Sequence, residues 1–370
     1  MPSRKSRKAI TVSRPALSGM HPRRRLSVWG KKAIAILSVF AALPLACAQT
    51  QVDQYVPQLQ LRIKEKLPIS SMVRSLWGIT PRCDDKGNLY YRPVQSLGSG
   101  PIVRISADGQ KVSNIDLSSV PDFGGNRGIL AWTTGLRGEI YLLAVNKDRD
   151  RRFLTFDEDG VFKSAEKLDS EFVFFHLAVF PTDEILATGV KEHEGLNEVS
   201  GEPYTAIFDR NGKLLKEISF SGDVKGYPVT EHNESASQSW RAVGLGDEVP
   251  ADDGNIYLMR KTDKNLLRVI SPAGEVVRKL TLVPPHEGWD GYRYLVAGGK
   301  IVMEFMKPEA QERNSSTVLY SLYDAESGER QIDYEVTPEI IGPFACYTSN
   351  QFTFLTLQDS ALSIIHAVPK

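Results

Sequence analysis

Residues 253–274 read DGNIYLMRKTDKNLLRVISPAG, and this stretch contains two turns and two apolar segments in a fixed order. Asp253–Asn255 is a polar turn that leads into the apolar segment Ile256–Met259. Leu266–Ile270 is a second apolar segment, and it leads into the turn Ser271–Gly274. Short apolar segments bounded by Gly, Asn and Ser are typical of antiparallel strands joined by tight turns.

Both halves of this stretch recur along the chain. The turn followed by an apolar segment occurs six times, at Asp85–Tyr91, Arg137–Leu142, Thr182–Leu186, Asp253–Leu258, Gly298–Val302 and Ser349–Thr353. The apolar segment followed by a turn occurs five times, at Val103–Gly109, Leu154–Gly160, Ala206–Gly212, Arg268–Gly274 and Ser321–Gly328. In the second unit Asp or Ser opens the turn by bonding its own backbone, and Gly supplies the left-handed residue that closes it.

Each period therefore predicts four antiparallel strands, and six periods predict an all-β, six-bladed β-propeller. We expect one such domain over residues 49–370. The last period has a third strand at Leu362–Val368 but no fourth. We expect the run Tyr55–Leu67 to complete that blade and close the ring, because closure removes an unpaired strand edge. A short surface helix at Ile63–Lys66 is the alternative.

The repeats resemble those of the NHL family of six-bladed propellers. That motif runs roughly Gly-Asn-hydrophobic-Tyr, then Asn-x-x-Arg-hydrophobic, then Phe-Asp-x-x-Gly. Residues 253–274 carry the best local match, and the resemblance covers about 88–370. Blades three, five and six lack the Gly-Asn-hydrophobic-Tyr string. Because packing dictates most of a propeller repeat, the resemblance implies the fold and not an activity.

The N-terminal residues 1–48 carry ten basic side chains and no acidic ones. A basic segment at Arg23–Lys32 precedes the apolar segment Ala33–Ala46, and Ala46-Cys47-Ala48 fits a small-residue cleavage site. This order predicts a signal peptide over residues 1–48 and a periplasmic or secreted protein that starts near Gln49. A twin-arginine signal at Arg24-Arg25, a lipoprotein anchored through Cys47 and an uncleaved anchor are the alternatives.

The rest of the chain is net acidic, with 35 Lys and Arg against 45 Asp and Glu. This balance disfavours binding to nucleic acid, which needs basic surfaces. No further apolar run is long enough to span a membrane, so we expect no membrane span after the signal peptide is removed. Of the remaining cysteines, Cys83 and Cys346 occupy equivalent positions in their repeats, which predicts either one disulfide or two separate buried thiols.

Strand direction alternates along the chain, so the short turns lie on one face and the long connections lie on the other, the long-loop face. The long connections include Gly189–Tyr204, Val283–Tyr294 and the longest insertion, Phe220–Leu245, which contains His232. We expect a ligand there, because long loops concentrate binding function. The candidate ligand-binding residues combine His, carboxylate, Trp and Arg side chains near the channel mouth: His232, Glu234, Trp240, Arg241, His286, Trp289, Asp290 and Arg293. The alternatives are solvated loops and tryptophans that seal the interfaces between blades.

Two other groups of charged residues belong to the long-loop face. Four arginines each precede an inner strand and would favour an acidic ligand: Arg74, Arg127, Arg241 and Arg293. Their positions within the repeats differ, which weakens this interpretation. Glutamates between Gly189 and Tyr204 cluster around His193, where we expect solvated side chains rather than a calcium site.

The sequence contains no established catalytic string, and we predict no cofactor, no metal and no assignable catalytic residue. The leading hypothesis is an exported binding or interaction module whose partner is a protein, a sugar or a small molecule. One alternative is an enzyme, because six-bladed propellers include lactonases and other metal-dependent hydrolases or lyases with one divalent cation in the channel. Against it, the predicted inner strands are mostly apolar. A structural envelope protein is the third hypothesis.

Overall fold

The computed structural model describes most of the chain after residue 55. The described residues are 56–69, 79–93, 100–123, 128–146, 148, 150–168, 172–192, 199–220, 248–260, 265–307, 317–358 and 361–370. The predicted signal peptide and the predicted insertion around His232 lie outside them. Within these ranges no helix is long and apolar enough to cross a membrane.

The described residues form strands, with two short 3₁₀ turns at Leu117–Ser119 and Pro338–Ile340. Four sheets have four antiparallel strands each. Sheet 1 holds β2 (Arg82–Cys83), β3 (Leu89–Tyr91), β4 (Ile102–Ile105) and β5 (Val112–Ile115). Sheet 2 holds β6 (Ile129–Thr134), β7 (Ile140–Val145), β8 (Arg151–Phe156) and β9 (Phe162–Lys167). Sheet 3 holds β10 (Phe172–Val179), β11 (Ile185–Glu192), β12 (Val199–Phe208) and β13 (Leu214–Ile218). Sheet 4 holds β14 (Glu248–Pro250), β15 (Ile256–Met259), β16 (Leu266–Ile270) and β17 (Val276–Thr281).

The remaining strands form one eight-stranded sheet in the order β18-β19-β20-β21-β1-β24-β23-β22. Its members are β1 (Gln58–Ile69), β18 (Asp290–Ala297), β19 (Lys300–Met306), β20 (Val318–Asp324), β21 (Arg330–Glu335), β22 (Phe344–Thr348), β23 (Gln351–Gln358) and β24 (Ala361–Pro369). The start of β1 pairs in parallel with β21, and Leu61–Ile69 pairs antiparallel with β24. Ile63–Lys66 lies in β1, so the alternative of a short helix there is wrong.

The sheets form a propeller-like ring. The first strand of each repeat contacts the first strand of the next in the closed cycle β2, β6, β10, β14, β18, β22 and back to β2. Six apolar clusters lie between successive groups of strands, and one of them packs Val302 and Tyr320 against Phe344 and Phe352 inside the eight-stranded sheet. We refer to the space enclosed by the six first strands as the channel.

The turns follow the chemistry predicted from the sequence. Oδ1 of Asp209 accepts hydrogen bonds from the backbone N–H groups of Asn211 and Lys213, both at 2.9 Å. Gly212, which closes the same turn, has a φ of 79° that L side chains rarely adopt. Gly109, Gly160, Gly274 and Gly328 have the same left-handed geometry at the equivalent turns. Local turn chemistry therefore fixes the hairpins.

Two predicted connections are shorter than expected. Gly189–Tyr204 was expected to be a loop, but β11 extends to Glu192 and β12 begins at Val199, where these two residues pair. The predicted connection Val283–Tyr294 ends earlier as well, because β18 begins at Asp290. The side chains of the glutamate and His193 cluster lie outside the described residues.

Candidate functional site

A cavity of about 260 Å³ lies in the channel, near the ends of the first strands that lead into short turns. First-strand and turn residues from five of the six repeats line it: Thr80, Arg82, Cys83, Asp84, Asp85, Thr134, Gly135, Leu136, Glu248, Val249, Pro250, Asp252, Arg293, Tyr294, Leu295, Val296, Ala297, Gly298, Tyr347 and Thr348. The cavity is therefore at the short-turn end of the channel, and not at the end where the sequence favoured a ligand.

Three charged lining residues lie in the first strands on the side away from the short turns, and we call them the floor of the cavity: Arg82, Glu248 and Arg293. Nη1 of Arg82 donates to the backbone oxygen of Glu248 at 3.4 Å. Nη2 of Arg293 donates to the backbone oxygen of Pro81. These bonds join sheet 1 to sheet 4 and to the eight-stranded sheet, so two guanidinium groups cross the channel.

The surroundings of the floor residues differ. The guanidinium carbon of Arg82 lies 5.8 Å from the centroid of the Trp132 ring, within cation–π distance. Oε1 of Glu248 accepts a hydrogen bond from the hydroxyl of Thr188 in sheet 3. Arg293 is directly opposite Glu304 in the register of β18 and β19. Glu248 and Glu304 are 0 % exposed and Arg293 is 6 % exposed, whereas Arg82 is only partly buried.

Two acidic residues at the rim, Asp84 and Asp252, accept hydrogen bonds from other residues of the rim and its turns. The carboxylate of Asp84 accepts from the backbone N–H of Asn88 at 2.8 Å, from its side-chain amide at 2.8 Å and from the hydroxyl of Tyr90 at 2.9 Å. Burial raises the pKa of Tyr90, and the nearby Asp84 carboxylate raises it further, so this hydroxyl stays a donor. Between the neighbouring strands β14 and β18, Oδ2 of Asp252 accepts from the N–H of Gly298 at 3.0 Å.

Apolar residues and a disulfide form much of the wall. Val249, Pro250 and Leu295 are apolar lining residues from sheet 4 and the eight-stranded sheet. Cys83, another lining residue, forms a disulfide with Cys346, and their Cα atoms are 5.8 Å apart. The predicted disulfide is therefore present, and it joins β2 to β22 beside the cavity.

The residues proposed from sequence divide into two groups. His232, Glu234, Trp240 and Arg241 lie outside the described residues. His286, Trp289, Asp290 and Arg293 are described, and of these four only Arg293 lines the cavity.

His286 is exposed, and its ring centroid is 4.9 Å from that of Trp289. Trp289 packs against the apolar cluster between sheet 4 and the eight-stranded sheet, as expected of a residue that seals an interface. Asp290 begins β18, and Arg293 is buried at the cavity floor. Neither His286 nor Trp289 lines the cavity.

Sequence reasoning missed Arg82, Trp132 and Glu248. A signal for them existed, since each is a charged or large amphipathic residue in a predicted inner strand that is otherwise mostly apolar. Within the described part of the chain, no group of three or more His, Cys, Asp or Glu side chains is placed to hold a metal ion.

Comparisons with known proteins reveal similarity of fold alone. No protein-family profile matches the sequence, and no curated protein matches it significantly. A luciferin-regenerating enzyme aligns with 82 % of this chain and 95 % of its own at 10 % identity and a TM-score of 0.47. Virginiamycin B lyase from Staphylococcus aureus aligns with 84 % of this chain and 99 % of its own, at 12 % identity and a TM-score of 0.42. YCF48 bound to D1 peptide aligns with 85 % of this chain and 100 % of its own, at 11 % identity and a TM-score of 0.41. The matched structures are propeller-type proteins, and likenesses this remote carry no functional argument.

Proposed function

We propose that this chain is an exported six-bladed β-propeller that acts as a binding module. Six blades follow if the eight-stranded sheet is counted as two, β18–β21 and β22–β24 with β1 as the closing strand. The closed cycle of six first strands and the six apolar clusters support this count. The single domain then extends over residues 49–370, after a signal peptide at residues 1–48.

The disulfide and the described residues' lack of a membrane-spanning helix are compatible with export. Disulfides persist mainly in oxidising compartments. Sequencing the N-terminus of the protein recovered from the periplasm or the medium tests the proposal. We expect Gln49 as the first residue, and recovery of the whole chain from the cytoplasm alone would contradict export.

One observation carries the binding function: a cavity in the channel combines apolar walls with guanidinium groups at its floor. A concave apolar site with a few convergent polar groups is the usual form of a small-molecule site. The contacts of Arg82 and Arg293 across the channel hold this floor in place before any ligand arrives, and such preorganisation lowers the cost of binding.

A thermal-shift screen of the full exported protein against small organic acids, sugars and divalent cations tests the proposal. A ligand specific to the native state raises the free energy of unfolding by about 2.7 kcal/mol at a 100-fold excess over Kd. Ala297→Phe, which fills the cavity, should abolish the shift, whereas Ala273→Phe at an exposed outer turn should retain it. A shift that survives Ala297→Phe would place the ligand elsewhere.

The long-loop face remains our proposal for a larger partner, a protein or a sugar, through His232, Glu234, Trp240, Arg241, His286, Trp289 and Asp290. Arg293, which the sequence also suggested, is buried at the cavity floor and is not part of that surface. His286→Ala should weaken partner capture without lowering the melting temperature, because this side chain is exposed. Arg293→Ala should lower both, because the residue is buried.

The metal-dependent hydrolase, lactonase or lyase remains the alternative function, and a structural envelope protein is the third. In the same screen, stabilisation by calcium or zinc that a chelator reverses would favour the enzyme. The absence of any ligand or partner would favour the structural protein.

A further inference from the structure

We propose that the channel cavity binds a small carboxylic acid with an apolar body, and that Arg82 receives its carboxylate. This inference rests on the proposed binding function and adds the chemical class of the ligand. It begins with the difference in exposure among the three charged residues at the floor.

Arg82 is the charged floor residue most accessible to a ligand. Glu248 is completely buried, and its carboxylate is bonded to Thr188 in sheet 3. Arg293 is 6 % exposed, and its guanidinium donates to the backbone of Pro81. Arg82 is partly exposed and lines the cavity. The guanidinium of Arg82 is therefore the charged floor group that a ligand reaches.

The guanidinium of Arg82 is held in a defined orientation. The Trp132 ring lies 5.8 Å from its central carbon, and the backbone oxygen of Glu248 accepts from Nη1. A guanidinium has five N–H donors in a rigid plane, which matches the two oxygens of a carboxylate. A planar donor fixed against an aromatic ring suits a carboxylate better than it suits a hydroxyl or an amide.

The walls and the volume limit the rest of the ligand. Val249, Pro250 and Leu295 line the cavity with apolar surface, which favours a hydrocarbon body. A volume of about 260 Å³ lies just below the range of about 300–1,000 Å³ that holds drug-sized ligands, so the ligand is a small molecule.

The rim disfavours a second negative charge. Asp85 and Asp252 are exposed lining residues from sheets 1 and 4. Their carboxylates repel an anion at the mouth, although water screens them more than it screens the floor. The far end of the ligand is therefore neutral or cationic, and a monocarboxylate fits better than a dicarboxylate.

Calorimetric titration of the full exported protein with 4-methylpentanoate and with its uncharged amide tests the inference. A hydrogen bond to a charged group is worth enough to make the acid bind at least about tenfold more tightly than the amide. Adipate, which has a second carboxylate, should bind more weakly than 4-methylpentanoate.

Arg82→Gln should remove the preference, so that the acid binds no more tightly than the amide, and residual binding of the amide would show that the cavity is retained. Arg82→Lys retains the positive charge and should keep part of the preference. Arg210→Gln removes the same charge from an exposed outer turn and should keep the whole preference.

Equal affinity for the acid and the amide in the unmodified protein would overturn the inference but leave the binding function standing. A second result would also overturn the inference and leave the binding function standing. In that result neither probe binds, but the wider screen finds a ligand whose thermal shift is abolished by Ala297→Phe. If neither probe binds and that screen also finds no ligand, both proposals fail. An acid preference that survives Arg82→Gln would overturn the role of Arg82.

Discussion

Arg82 and Glu248 are 166 residues apart in the sequence, and the guanidinium of the first donates to the backbone oxygen of the second across the channel. The bond joins sheet 1 to sheet 4, two sheets that are not neighbours in the cycle of first strands. One side chain thus contributes both to the cohesion of the ring and to the floor of the cavity.

The disulfide between Cys83 and Cys346 should stabilise the ring. The two residues are 263 apart in sequence, and closing a long loop restricts the unfolded chain. Replacing both by serine should lower the free energy of unfolding by about 2–4 kcal/mol, measured by urea denaturation. A reductant should lower the stability of the natural protein and leave the double variant unchanged. If the natural protein resists denaturation equally with and without reductant, the bond contributes nothing.

A comparison of substitutions at Gly212 and Gly254 distinguishes the cost of backbone strain in a turn from the cost of a steric clash with the neighbouring sheet. Both have left-handed φ angles, 79° and 84°. A Cβ at Gly212 would lie 2.7 Å from the backbone oxygen of Lys167 in the neighbouring sheet, whereas a Cβ at Gly254 would have no neighbour within 4 Å. Gly254→Ala should cost about 1–2 kcal/mol in stability from the backbone alone. Gly212→Ala should cost more, and equal losses in thermal denaturation would show that the neighbouring sheet moves freely.

Asp84 should be needed for stability, because its carboxylate accepts from Asn88 and Tyr90 inside the first turn. Asp84→Asn places an amide donor against these donors and should cost about 1–3 kcal/mol in urea denaturation. Asp85→Asn, at the exposed neighbouring position, should cost little. A large loss in both variants would point to charge at the rim rather than to these bonds.

His366 should make stability depend on pH. Its Nδ1 lies 3.0 Å from Nε2 of Gln351 and 3.1 Å from the hydroxyl of Thr353, and Glu65 is opposite it on β1. Burial lowers the pKa of His366 below its ordinary value of 6.5, although the Glu65 carboxylate opposes this shift. The folded state therefore favours the neutral ring. The contribution of the neutral ring to stability is present above about pH 6.5 and is lost as the pH falls from that value through the lower pKa of the folded state.

Urea denaturation between pH 8 and pH 5 measures this effect. His366→Gln should reduce the loss of stability on acidification. His286→Gln, at an exposed position, should show the same loss of stability as the natural protein. An unchanged pH profile in His366→Gln would assign the loss to other groups.

Structural features that depend on local contacts could be predicted from the sequence, whereas contacts between distant parts of the chain could not. The turns around Gly212 and Asp84 could be predicted because each depends on residues within about five positions. The contact of Arg82 with Glu248 could not, because it depends on where the ring places sheets that are far apart in sequence. Arg293 was expected in a connection at the mouth, but β18 begins at Asp290 and carries it into the channel.

The position of β1 has a consequence for the timing of synthesis. Nζ of Lys66 donates to Oε1 of Gln358, a residue 292 positions later in the chain. At about 5–20 residues per second, roughly 15–60 s pass between the synthesis of these two residues. During that interval the amino-terminal strand has no partner, and its apolar residues are open to chaperones and to proteases. β1 is therefore protected only after β21 and β24 have been synthesised.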